Sequence, residues 1–288
     1  MMGPIKYLNK SGGTHIMKCF SIDLDGTLLN SKHQVSKENV EAIYELKARG
    51  HEVILNTGRA YSDVVKIEDL QKLELPIFCI NGAVLYTKDR ELLYETTLPA
   101  STYQEVFTAL NTLDVGILVY TNYGGFPSTL PPLHQKTEEE LNQLFLETDY
   151  TELLAKDDLK VYKLIALVHP SQVHKIESVK MALKDVMGLS TASSFPNNVE
   201  ITSDEAHKGK ALLRYQQLMN VSFEEIIAFG DGGNDLGQFE VATTSVAMAN
   251  APIAIQAAAD MVTKSNDENG FAYAVNQLLK NDPKPILI

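Results

Sequence analysis

The stretch Cys19-Phe20-Ser21-Ile22-Asp23-Leu24-Asp25-Gly26-Thr27-Leu28-Leu29 organises the rest of the chain. An apolar, β-prone run, Cys19 to Ile22, stops in two aspartates separated by one leucine, followed by a glycine, a threonine and more leucine. That is the pattern of a strand carrying acids to its C-terminal tip. Residues i and i+2 of an extended chain share a face, so Asp23 and Asp25 start on one side while Leu24 points into packing. Two carboxylates so close raise each other's pKa unless positive charge lies between them, and a hard divalent cation supplies it. A loop start with solvated acids is the alternative, but apolar residues flank the pair on both sides.

Two further strand ends have the same form. His51 to Leu55 runs into Asn56-Thr57-Gly58-Arg59, and Ile226 to Phe229 runs into Gly230-Asp231-Gly232-Gly233-Asn234-Asp235. Between the first two tips, Ser36 caps a helix whose apolar positions Val40, Ile43, Tyr44 and Leu46 recur at helical spacing and which Gly50 ends. A helix over 61–73 is closed by Pro76, and a strand from Ile77 to Ile80 leads into Asn81-Gly82. Residues 83–98 read as a hairpin turning at Lys88-Asp89. Later come a helix from Lys208 to Met219, a capping box at Ser222-Phe223-Glu224-Glu225 for a short turn, two short strands near Val246 and Met261, and a closing helix from Phe271 to Lys280. Strands alternating with helices imply βαβ units, hence an α/β, Rossmann-like core with a parallel sheet. In such a sheet ligands bind outside the C-terminal strand ends, so the three tips converge on one crevice.

The pattern changes at Pro99. Ser101 with Gln104 forms a capping box for a helix to Leu113, a strand follows over 115–121, and 122–136 is a loop rich in Gly and Pro. Thr137 with Glu140 caps another helix, 161–169 is a strand, 171–187 a helix, and strands over 189–193 and 198–202 close the section. The division expected is a core domain of residues 17–97 and 204–288, with an α/β cap domain, 98–203, inserted into it. Residues 1–16 differ in character, and the fold is expected to begin at Met17; Ser11-Gly12-Gly13 suits a translated purine tract ahead of the true start codon.

Composition narrows the function. The 288 residues carry a net charge of −12, which argues against nucleic-acid binding, and 44% of them are apolar, enough for packed cores. Only Cys19 and Cys79 are present, both within apolar runs, which fits buried thiols and a cytoplasmic location rather than a disulfide framework. No apolar run reaches transmembrane length, so no membrane is expected among the partners. His51, His169 and His174 fall on regular elements and read as structural, without zinc-ligand spacing. No dinucleotide fingerprint follows the first strand, and the Asp231 loop lacks the glycine and glutamate of an EF-hand.

The tips are chemically complementary. Carboxylates hold Mg²⁺, which keeps several waters and is completed by phosphate oxygens. Thr57 and the Gly58 amide suit phosphate oxygens at a helix start, and Lys208 is placed to neutralise the acids and grip the phosphate.

The motifs DLDGTLL, TGR, HKGKAL and GDGGND, in this order and spacing, resemble the haloacid dehalogenase superfamily of aspartyl-phosphate enzymes. More narrowly they resemble its Cof-type sugar-phosphatase branch, which carries a large α/β cap. Val246 to Ala251 and Ser265 to Gly270 are similar to that branch as well. The resemblance implies a Mg²⁺-dependent phosphatase acting on small phosphorylated metabolites. Asp23 would be the nucleophile and Asp25 the general acid and base. Mg²⁺ would be held by the Asp23 carboxylate, the Asp25 backbone carbonyl and the Asp231 carboxylate. Thr57, Gly58, Lys208 and Asn234 would bind phosphate, with Gly26, Thr27, Arg59 and Asp235 in support. Substrate choice would reside in the cap and the 122–136 loop, and the chain would act as a monomer or weak homodimer. A phosphomutase of the same superfamily would yield an isomer rather than free phosphate, and a phospho-receiver module would lack the cap. Leu236-Gly237-Gln238-Phe239 stands where the branch often has an acidic residue and a Met-Leu pair, and Ala249 where glycine is common.

Overall fold

A computed structural model of the chain describes residues 17–281 except 111, 114, 128–155 and 194. The expected helix capped by Thr137, most of the 122–136 loop and the 1–16 extension lie outside the described residues. The strands are β1 (Lys18–Ile22), β2 (Glu52–Asn56), β3 (Ile77–Cys79), β4 (Val84–Tyr86), β5 (Leu92–Glu95), β6 (Gly116–Thr121), β7 (Gly124–Pro127), β8 (Val161–Leu167), β9 (Leu189–Ala192), β10 (Asn198–Ser203), β11 (Glu225–Gly230), β12 (Thr244–Ala247) and β13 (Met261–Val262). The principal helices are α1 (Lys37–Ala48), α2 (Tyr61–Val64), α3 (Glu68–Gln71), α4 (Ala100–Leu110), α5 (Lys175–Leu183), α6 (Lys208–Met219), α7 (Leu236–Val241), α8 (Ile253–Ala258) and α9 (Gly270–Leu278). They fall into two compact units: one holds the residues up to Tyr94 and from His207 onward, the other Glu95–Ala206. Residues 95–97 and 204–206 thus go with the second unit rather than with the first.

The first unit is built on a sheet of order β13-β12-β11-β1-β2-β3-β4-β5. The strands from β13 to β3 run parallel, and β4 turns back antiparallel on β3. β1 sits where the winding reverses: the chain proceeds to β2 and β3 on one side, then returns to lay β11, β12 and β13 on the other. That reversal is a topological switch point, and it opens a crevice at the carboxyl ends of β11, β1 and β2. Alternation of side chains covers both faces. Cys19, Ile54, Phe78 and Ile226 pack against Ala211, Leu212 and Tyr215 of α6. Phe20 and Phe229 point to the other face, where Phe229 meets Phe271 of α9 edge-on at 4.9 Å. Ser36 caps α1 by accepting from the Asn39 N–H, and Gly50 follows the helix with φ +78, a left-handed value suited to glycine.

The second unit is an antiparallel sheet of order β7-β6-β8-β10-β9. Val106, Leu110, Ile176, Val179 and Leu183, from α4 and α5, bury themselves on Ile117, Val119, Leu164, Ala166, Val199 and Ile201.

Several local expectations need correction. The helix over 61–73 is broken into the single turns α2 and α3, because Ile67 is extended (φ −88, ψ 98) in a stretch of β-branched Val64, Val65 and Ile67 that resists helix. α4 already begins at Ala100, and the Tyr103 N–H donates to Pro99 O at 2.9 Å, so Ser101 lies inside the first turn instead of capping it. α5 covers only Lys175–Leu183 of the 171–187 helix, after a short 3₁₀ turn at Pro170–Gln172. No turn forms at Ser222: Glu225 starts β11, and the Glu224 N–H donates to Met17 O, which draws the segment into the sheet. Among the described residues no helix is long and apolar enough to cross a membrane.

Candidate active site

Three neighbouring strands end on chemistry. In the order β11, β1, β2, the residues just past the strand ends are Asp231, Asp23 and Thr57. The Asp23 N–H donates to Phe229 O at 3.0 Å, one more rung of the β1–β11 ladder, so the sheet itself sets where the Asp23 side chain begins.

Asp23 is 4% exposed and Lys208, at the start of α6, is 1% exposed. The Lys208 ammonium lies 2.6 Å from Asp23 Oδ1 and 2.7 Å from Asp235 Oδ1. Burial alone would lower the lysine's pKa, but Asp23 and Asp235 reverse this and hold it above the usual range. Asp23, Asp231 and Asp235 each bring one carboxylate oxygen to within 4.8 Å of the others. Burial raises the Asp23 carboxyl well above its ordinary value; Lys208 opposes this, while Asp235 and Asp231 add to it. Asp231 is pushed up to about 7, by burial first and by the Asp235 charge second. Three acids share one lysine here, and the excess of negative charge is what a divalent cation would offset.

The donor set fits a hard cation of the Mg²⁺ kind, since all the atoms offered are oxygens. They are not equivalent. Asp235 Oδ2 accepts from the Asp231 and Gly232 N–H groups, both at 2.9 Å, and its Oδ1 from Lys208 and, at 2.8 Å, from Gln238. Those four donors saturate Asp235 as a lysine anchor. Among the described residues Asp231 accepts the Thr27 hydroxyl on Oδ1 at 3.1 Å and a long bond of 3.5 Å from the Asn250 amide on Oδ2. Asp23 and Asp231 are therefore the carboxylates with capacity left for a metal.

Asp25 goes elsewhere. Its side chain is 43% exposed, and Arg59 grips both its oxygens, Nε to Oδ2 at 2.7 Å and Nη2 to Oδ1 at 2.6 Å. Asp25 in turn raises the guanidinium's pKa. The two aspartates start two residues apart and finish in opposite environments, because β1 ends at Ile22 and the chain turns through Gly26 at φ +74. A Cβ on Gly26 would stand 2.2 Å from Asp231 Oδ2, so only glycine lets this turn lie against the acid cluster.

Thr57 is 1% exposed, and its hydroxyl accepts from the Arg59 N–H at 3.1 Å, tightening the Thr57-Gly58-Arg59 turn. Asn234 donates to Asn81 Oδ1 at 3.1 Å. Asn81 is a site residue that sequence reasoning missed. Ile80 and Asn81 both take left-handed conformations, φ 52 and 54, which is unusual for a β-branched residue. The strain has a use: their N–H groups turn back to bond Arg59 O and Thr57 O, each at 2.9 Å, and brace the second tip. The Asn-Gly pair after a strand was the available signal. Asn250 was missed too. Its side-chain amide donates to Gly26 O at 2.9 Å, and Asn266 links it to the first loop through Asn250 Oδ1 and Leu29 O.

Comparison with known proteins identifies the family to which the chain is similar. The family model for haloacid dehalogenase-like hydrolases matches residues 20–275. Phosphatase YwpJ of Bacillus subtilis (strain 168) is 32% identical over 287 residues, spanning 91% of this chain and 100% of that protein. Pyridoxal phosphate phosphatase YbhA of Escherichia coli (strain K12) is 27% identical over 273 residues, spanning 90% of this chain and 97% of the relative. A solved structure of a haloacid dehalogenase-like hydrolase from B. subtilis superposes with a TM-score of 0.79 at 30% identity, covering 91% of this chain and all of the other.

Proposed function

Because the chain belongs to the haloacid dehalogenase-like hydrolases, we propose that it is a Mg²⁺-dependent phosphatase of small phosphate monoesters and that Asp23 is its nucleophile. The observation carrying this reading is the buried Asp23 carboxylate, held by Lys208 beside Asp231, with Asp25 set apart on Arg59. Mg²⁺, when bound, would offset charge on the acids and on the phosphoryl oxygens, and the Asp23 and Asp231 carboxylates with the Asp25 backbone carbonyl would hold it.

The reaction proceeds in two displacements. One Asp23 oxygen forms a bond to phosphorus as the bond from phosphorus to the ester oxygen breaks, and Asp25 gives its proton to the departing alkoxide. Asp25 then takes a proton from water, whose oxygen attacks phosphorus; the Asp23–phosphorus bond breaks and inorganic phosphate leaves. Lys208 offsets the charge of the transferring group, and Thr57 with the Gly58 amide binds its oxygens. For Asp25 to carry a proton, Arg59 must first release it, and the substrate phosphate is a competing anion for that guanidinium. The substrate is of the phosphorylated sugar or cofactor class, such as the pyridoxal phosphate named for the E. coli relative.

Steady-state hydrolysis of p-nitrophenyl phosphate, with Mg²⁺ and with EDTA, tests the assignment. Wild type is expected to release phosphate only with Mg²⁺. Asp23→Asn is expected to be inactive while keeping the wild-type circular dichroism spectrum, and retained turnover would overturn the nucleophile. With a sugar phosphate and an activating bisphosphate as reactants, formation of an isomer in place of free phosphate would instead identify a mutase.

A further inference from the structure

Beneath the acid cluster, between the sheet and α7, three polar side chains without solvent access occupy space that aliphatic groups would ordinarily fill: Ser21, Asn56 and Gln238, each 0% exposed. Gln238 is their hub. Its Nε2 donates to Phe229 O at 3.0 Å and to Asp235 Oδ1 at 2.8 Å, and its Oε1 accepts from the Ser21 hydroxyl at 2.6 Å and from Asn56 Nδ2 at 3.3 Å. Every donor and acceptor of the amide is used. Its orientation is forced as well, since Phe229 O and a carboxylate can only accept. Asn56 Nδ2 also reaches Lys208 O at 3.2 Å. The network thus touches Lys208 at both ends, at its backbone through Asn56 and at its ammonium through Asp235.

Burying an amide costs free energy that a methionine of similar length would not incur, so packing alone does not account for Gln238. Its one contact with the chemical groups is Asp235 Oδ1, the same oxygen that anchors Lys208. We propose that Gln238 is a positioning residue for phosphoryl transfer: it fixes the Asp235 carboxylate, fills its remaining acceptor position, and so keeps the Lys208 ammonium aimed at Asp23. This deepens the phosphatase reading above and rests on it. Without the Gln238 donor, Asp235 Oδ1 is held by Lys208 alone, and the lysine loses the rigid abutment that fixes it against the nucleophile.

The test uses the full chain as wild type, Gln238→Met, Ser21→Ala and the Ser21→Ala/Gln238→Met pair, which removes the hydroxyl that methionine would strand. Magnesium-dependent p-nitrophenyl phosphate hydrolysis is measured for each, normalised to the folded fraction from circular dichroism. A hydrogen bond to a charged group is worth enough that both Gln238→Met proteins are expected to lose about tenfold in kcat, with KM within about twofold of wild type. Ser21→Ala, which cuts the network on the side away from Asp235, is expected to melt lower yet keep its kcat within about twofold. The proposal is overturned if folded Gln238→Met keeps wild-type kcat, if Ser21→Ala loses as much as Gln238→Met, or if activity merely follows the folded fraction. A wild type without Mg²⁺-dependent turnover overturns the parent reading and this one together, whereas an active wild type with an unaffected Gln238→Met overturns this one alone.

Discussion

Asp231→Asn is expected to stabilise the metal-free protein while abolishing its response to Mg²⁺. Asp231 is crowded by Asp23 and Asp235, with carboxylate oxygens within 4.8 Å, and burial with the Asp235 charge pushes its pKa from 3.8 to about 7. A folded pKa above the unfolded one means that the native state prefers the protonated carboxyl. That contribution is fully present below 3.8 and is lost as the pH rises through about 7. At 1.36 kcal/mol per pH unit, the gap is worth about 4 kcal/mol at most, which wild type has forfeited by pH 8. Asparagine carries no charge at any pH, and its Oδ1 can still accept from Thr27. If local relaxation recovers half of the cost in wild type, the variant leads by roughly 2 kcal/mol at pH 8 in EDTA, a Tm higher by about 4–8 °C. At pH 5 wild type keeps most of the contribution and the lead shrinks. Adding Mg²⁺ at pH 8 reverses the order, because wild type gains about 2.7 kcal/mol at a hundredfold excess over Kd while the variant has lost a ligand. Thermal melts at pH 5, 6.5 and 8, with EDTA and with MgCl₂, provide the readout. A variant that melts below wild type at pH 8 in EDTA, a difference that ignores pH, or an equal rise of both with Mg²⁺ would refute this account of Asp231.

Further substitutions probe the remaining parts. Lys208→Met strands Asp23 and Asp235, whose oxygens lie 2.6 and 2.7 Å from the ammonium, and should cost about 3–5 kcal/mol in urea unfolding without metal as well as turnover; an unchanged midpoint would remove the lysine from its bridging role. Gly26→Ala places a Cβ 2.2 Å from Asp231 Oδ2 at a φ of +74, so the Mg²⁺-dependent rise in Tm and the turnover should both disappear, while the metal-free melt drops by the equivalent of about 1–3 kcal/mol. Arg59→Ala breaks a pair whose side chains are 26% and 43% exposed, so its stability cost should stay below about 1 kcal/mol while kcat falls by about tenfold. Stability and kcat falling in proportion would reduce Arg59 to a structural residue.

The strand tips were legible because each is an apolar run cut off by polar groups, a pattern local in sequence. Lys208 was legible because the helix it opens is regular from Lys208 to Met219. What escaped was set by tertiary contact. Asn81 matters through a left-handed pair of residues that bonds back to Thr57 and Arg59, and Asn250 through a bond to Gly26 in a turn 224 residues earlier. In the sequence Gln238 belongs only to a segment that stands where the branch often has an acidic residue and a Met-Leu pair; the sheet shows that its amide lies between Ser21 and Asp235. The 61–73 segment failed for the opposite reason, its apolar spacing suggesting a helix that the β-branched run at Val64, Val65 and Ile67 interrupts.

The charge balance accounts for how two carboxylates two residues apart could take the opposite tasks proposed for them. Asp25 is neutralised by Arg59 in a partly exposed pair, so its charge is settled without drawing on the cluster. Asp23, Asp231 and Asp235 must share Lys208, and Asp235 is already saturated by four donors. The surplus of about two negative charges therefore falls on Asp23 and Asp231, where it adds to the burial that already raises both carboxyls. A divalent cation bound there would cancel that surplus and leave Asp23 ionised, the state the proposed nucleophile needs to attack phosphorus. Asp25 lies outside that balance, so in the proposed mechanism it would take a proton from solvent once Arg59 had moved to the substrate phosphate, without disturbing Asp23. The turn at Gly26, which sends one side chain inward and the other outward, is what makes the two roles separable.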